Sequence, residues 1–99
     1  MFGAENLDVL VRTVSATPKE YISGLKQAVP DGVVVNGNEI TVESGPVSIH
    51  IAIEKLPDYV IALMSLPSLQ ATWTFQSGSH DERAACLNRI DWSMKRGGG

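Results

Sequence analysis

Two stretches of this chain alternate apolar and polar residues without a slip, and that period of two restricts the fold more than any other feature. Over residues 47–54, Val47, Ile49, Ile51 and Ile53 share one parity, and Ser48, His50, Ala52 and Glu54 the other. Over residues 69–76, Leu69, Ala71, Trp73 and Phe75 alternate with Gln70, Thr72, Thr74 and Gln76. Successive side chains of a strand point to opposite faces, so each stretch reads as a strand with one dry and one wet face. Such strands belong to an antiparallel sheet covered on one side; strands covered on both sides read as continuous apolar runs.

A half-dry sheet needs a cover, and two amphipathic helices supply one. Thr17 precedes Pro18, with Glu20 three residues after the threonine, which is the pattern of a capping box with proline in the first helical position. At 100° per residue, Pro18, Tyr21, Ile22, Leu25, Ala28 and Val29 then fall on one side, and Pro30-Asp31-Gly32 ends the helix. Gly24 lies inside it, a place for another part of the chain to approach closely. Ser79 and Glu82 form a second capping box, Asp81 and Glu82 suit the positive helix start, and Lys95 suits its end. With Leu87 as the centre of the buried stripe, Ala84, Ile90 and Met94 join it and Cys86 sits at its margin. Gly97, Gly98 and Gly99 are expected to end this helix.

The remaining elements follow from turns and β-branched runs. Residues 7–14 (LDVLVRTV) read as a strand, and apolar residues on both parities place it inside the sheet. Asn36-Gly37-Asn38, between 33–35 and 39–43, is a hairpin signature, because Asn-Gly supplies the positive φ angles of tight turns. Ser44-Gly45-Pro46 makes a second turn. Leu56-Pro57-Asp58 is expected to turn the chain into a separate strand or short helix over 59–64, with Leu66-Pro67 breaking it. The result is one domain over 1–99 with loose termini at 1–6 and 97–99. It is of the α+β class, a two-layer sandwich of a mostly antiparallel sheet with two helices on one face, in the order β-α-β-β-β-β-α, to which the Asn36-Gly37 hairpin can add one more strand. If the strands flanking the first helix are parallel, they form a right-handed crossover. This order resembles TBP-like and helix-grip layouts, a resemblance of element order alone that implies no function.

Composition excludes some roles. A hydrophobic fraction of 43% with 19% charged residues is a globular balance, not that of a disordered chain. Residues 1–82 hold ten acidic and four basic side chains, a net of −6, whereas residues 83–99 hold one acid and four bases, a net of +3. The formal total of −3 disfavours nucleic acid, whose binding relies on neutralised phosphates. The single cysteine, Cys86, excludes an internal disulfide. No apolar run approaches the ~20 residues that span a bilayer, and no signal-peptide pattern opens the chain, so a cytoplasmic location without membrane contact is expected.

No catalytic constellation, metal spacing or phosphate loop is legible, and no cofactor is expected. His50 projects from the wet face, but Glu54 on the same strand is roughly 13 Å away, too far to orient it. His80 lies in the first turn of the last helix without a ligand set around it. Cys86, at the edge of an apolar stripe, is expected to be inert, although Arg83 and Arg89 are each three residues from it. Trp92 stands out, because the stripe centred on Leu87 places its indole on the opposite side of the helix, beside Arg89 and Arg96. Tryptophan framed by arginine is the composition of interface hot spots. The expected function is therefore a non-enzymatic interaction or regulatory module, self-associating as a homodimer or meeting a protein partner. Its surface residues are Trp92, Arg89 and Arg96 on the helix, or His50, Thr72 and Thr74 on the wet sheet face. The alternative is a small apolar-ligand binder with a pocket lined by Tyr21, Trp73 and Phe75.

Overall fold

The computed structural model describes residues 8–98. Its elements are β1 (Val9–Val14), α1 (Pro18–Ala28), β2 (Val33–Asn36), β3 (Glu39–Ser44), β4 (Val47–Ile61), β5 (Met64–Phe75) and α2 (His80–Gly98). The element order is the expected one. The five strands form one sheet in the order β1-β5-β4-β3-β2, antiparallel at every junction.

Both helix starts are built as their sequences imply. Thr17 N–H donates to Glu20 Oε1 (3.0 Å) and Glu20 N–H returns to Thr17 Oγ1 (3.1 Å). Ser79 N–H donates to Glu82 Oε1 (2.8 Å) and Glu82 N–H to Ser79 Oγ (3.2 Å). These reciprocal bonds satisfy backbone donors that have no partner inside the helix.

The core lies between the helices and the dry parity of the sheet. Tyr21, Leu25, Ile49, Ile51, Trp73, Phe75 and Ile90 belong to one buried cluster with Ile40, Val42 and Leu69, and Ile22 and Leu87 pack against it. Trp73 is fully buried, and its indole N–H donates to the Tyr21 hydroxyl at 2.9 Å, giving an otherwise costly polar group a partner. Gly24 lets α2 approach α1, since a Cβ there would stand 3.1 Å from the end of the Met94 side chain.

Several expectations need correction. β1 is an edge strand, not an interior one. Leu10 and Val14 pack on the core, but Val9 and Val11 on the other parity face outward, exposed. The strands on either side of α1 do run in the same direction, yet β1 and β2 occupy opposite edges of the sheet and do not pair. Leu56-Pro57-Asp58 is not a turn. The β4–β5 register shifts between Leu56 and Tyr59, so Pro57, which has no N–H to give, sits in an irregularity of a continuing strand. Pro67 lies opposite that irregularity, between the paired Leu66 and Ser68, and does not break β5. Residues 59–61 therefore extend β4, and the chain turns only at Ala62 and Leu63. In α2 the buried stripe is rotated towards Cys86, which is buried, while Leu87 is only half-buried. The helix also continues through Gly97 to Gly98, because no proline or left-handed residue stops it. The expected looseness of residues 1–6 and of Gly99 concerns positions outside the described residues.

Candidate interaction surfaces

The most unusual surface is the far end of the β4–β5 hairpin. β1 accompanies β5 only as far as Leu69, and β3 accompanies β4 only as far as Ala52. Beyond those points the two strands pair with each other alone, forming a two-stranded arm that reaches past the sheet. Its end carries Tyr59, Val60, Ile61, Leu63 and Met64, all exposed; Tyr59 and Met64 are 62% accessible and Leu63 is entirely so. No charged residue occurs over residues 59–64. At the tip Ala62 has φ = 55°, the only positive φ among the described non-glycine residues. A positive φ at the first of two loop residues is the pattern of a type II′ hairpin turn, a position that favours glycine.

The base of the arm is polar and tied down. Lys55 Nζ donates to Asp58 Oδ1 at 3.2 Å, and Ser65 Oγ–H donates to Asp58 Oδ2 at 3.0 Å. The bonds from Lys55 and Ser65 hold the Asp58 carboxyl below the usual carboxylate range. Ser15 Oγ–H, just after β1, donates to the Pro67 carbonyl at 3.1 Å. Between the end of β1 and this base runs a mainly apolar groove of about 520 Å³, with Val14, Leu56, Pro57, Tyr59 and Pro67 among its walls.

The outer face of α2 is the second surface. Trp92 is 62% exposed, on the side of the helix away from Ile90, as its position in the helical period implies. Arg89 does not stand free beside it but donates to Ser44 Oγ at the end of β3. The side chain of Arg96 lies outside the described residues. Asp91, on the inward flank, receives a two-pronged bond from Arg12 (2.6 and 3.0 Å), which keeps the guanidinium pKa above its ordinary value. Arg12 also lies over the Trp73 ring, 5.6 Å from its centroid. Arg83 pairs with Asp8 at 2.6 Å and sits over Phe75. Two of the C-terminal charges thus fasten α2 to the β1–β5 side of the sheet. Their spacing along the helix could not show this, because both partners lie more than 70 residues away.

The third surface is the uncovered face of the sheet. The register sets Thr74 beside His50, and His50 beside Thr41, with Thr72 beside Ala52. The partner that His50 lacks on its own strand comes from the neighbouring one, with Nε2 3.2 Å from Glu39 Oε1. Register across strands is invisible in one sequence, so the pairing of His50 with Glu39 is legible only in the fold. Both groups are solvent-accessible on the open face.

The residues suggested for a ligand pocket, Tyr21, Trp73 and Phe75, instead fill the core, and the clefts the structure shows are lined by other residues. Burial raises the Tyr21 phenol pKa, partly countered by its bond from Trp73. Cys86 is buried and unpaired by disulfide. His80 Nδ1 lies 3.8 Å from the Asp81 carboxylate in the first turn of α2. Among the described residues, no three His, Cys, Asp or Glu side chains gather as a metal site would require. No described helix is long and apolar enough to cross a membrane.

The arm itself was legible in part: residues 59–64 are apolar on both parities and lie between Pro57 and Pro67. No protein-family model matches this chain, and no curated protein matches it.

Proposed function

We propose that this protein is a non-enzymatic interaction module that associates with itself, acting as a cytoplasmic dimer with a further surface for a protein partner. The observation that carries this reading is the exposed, uncharged arm end. Its five large apolar residues, Tyr59, Val60, Ile61, Leu63 and Met64, are about half to fully accessible on the two faces and turn of one ribbon, and contiguous exposed apolar surface of this kind marks interaction sites. At about 25 cal/mol per Å², leaving such a surface in water forgoes several kcal/mol that a partner chain recovers. An isolated two-stranded ribbon is also marginal in water, so the arm gains order from being covered. The outer α2 face around Trp92 is the further surface, since an exposed indole is a common anchor of protein interfaces.

Light scattering on the eluting protein tests the self-association. A chain of 10.7 kDa that elutes near twice that mass, and shifts towards the single-chain mass on dilution, supports the reading. Elution at the single-chain mass throughout the micromolar range overturns it.

A further inference from the structure

We infer that the arm of one copy lies antiparallel against the arm of a second, each apolar tip seated in the groove at the base of the other. This rests on the self-association reading and specifies its interface. Tip and groove are two ends of the same element. Leu69, where β1 joins, is six residue steps from Leu63, roughly 20 Å at strand rise. A two-fold axis across the middle of the arm therefore sets each tip over the other's base. That is a self-complementary contact, the form a closed dimer requires.

The chemistry at the two ends matches. The tip offers Ile61, Leu63 and Met64 without a charge, and the groove offers apolar walls at Val14, Leu56, Pro57 and Pro67, with Asp58 and Tyr59 also lining it. The nearest charges, Lys55 and Asp58, already neutralise each other within one chain, so two arms meet without like-charge contact. The tip residues Ile61, Leu63 and Met64 are about half to fully exposed, so a two-fold contact removes this apolar surface from water twice. A lipid bilayer fits less well. Lys55 is the only cation between Lys26 and Arg83, so the arm has no basic collar for anionic headgroups. The strained Ala62 at the tip agrees with a turn shaped for contact, since strained backbone tends to persist where function holds it.

Disulfide trapping tests the geometry. The Leu63→Cys protein is mixed with the Ser15→Cys protein under mild oxidation, while sedimentation reports association and flotation with phosphatidylcholine and phosphatidylserine vesicles reports lipid binding. Both sites are exposed, and Cys86 is buried, so the unsubstituted protein serves as the uncrosslinked control. The two positions are too far apart for a bond within one chain. The expected result is a mixed dimer linking position 63 to position 15, in preference to either like pair. Leu63→Asp is expected to weaken association at least tenfold. Association that persists with links only between two copies of position 63, or with no links, overturns the tip-in-groove arrangement while sparing self-association. A protein that stays monomeric overturns both, and a monomer that floats with vesicles assigns the tip to lipid instead.

Discussion

Tyr21 and Trp73 show how much rests on one polar contact inside the core. The indole N–H has the Tyr21 hydroxyl as its partner, so Tyr21→Phe leaves a buried donor unpaired. That change should lower unfolding free energy by about 1–3 kcal/mol in a urea titration. The same phenol gives a pH signature. Its folded pKa lies above the ordinary value near 10, so the folded state keeps the proton to higher pH than the unfolded chain does. The contribution is complete below about pH 10 and is lost as pH rises through the folded pKa. The stability gap between the wild type and Tyr21→Phe should therefore narrow from about pH 10 upwards; a constant gap would show that the phenol is not held this way. At the arm tip the expectation runs the other way. Alanine at positive φ carries strain of about 1 kcal/mol, which Ala62→Gly should relieve in part, raising the urea midpoint without changing the slope. An unchanged or lower midpoint would mean that the turn is not strained.

At the scale of elements, the period of two and the two capping boxes carried most of the information. They marked the dry face, the helix starts and nearly all of the core, because each depends on residues close in sequence. Leu25, fully buried on α1, represents that set, and Leu25→Ala should destabilise by about 2–5 kcal/mol in a denaturant melt. A loss under half a kcal/mol would mean that α1 presents another face to the sheet. What the sequence hid was set by contacts across the chain. β1 looked interior because both its parities are apolar, yet one of them simply lies uncovered on the open face. Pro57 and Pro67 looked like breaks, yet they face each other across one irregularity and interrupt neither strand. The prolines thereby hide the arm and its exposed apolar end from a reading of the sequence. The Trp92 site was legible, because helical period alone places the indole outward, whereas Arg89 was drawn to Ser44 by a strand that no helical wheel contains.

At the scale of the whole molecule, the two ends of the chain hold each other. Arg12 on β1 grips Asp91 on α2, and Arg83 on α2 grips Asp8 just before β1, so each segment gives one base and one acid to the seam. With helices over one sheet face and these pairs along its flank, the arm and the outer α2 face are separate apolar features facing water, beside the exposed valines Val9, Val11 and Val34. Sedimentation velocity on the wild type, Leu63→Asp and Trp92→Ala, across a range of micromolar concentrations, separates their roles most directly. The wild type should move from monomer to dimer with concentration. Leu63→Asp should stay monomeric yet still unfold cooperatively, since the fully exposed side chain it replaces is outside the core, and Trp92→Ala should dimerise as the wild type does. A Leu63→Asp protein that dimerises as readily as the wild type, or a wild type that never dimerises, would contradict self-association through the arm.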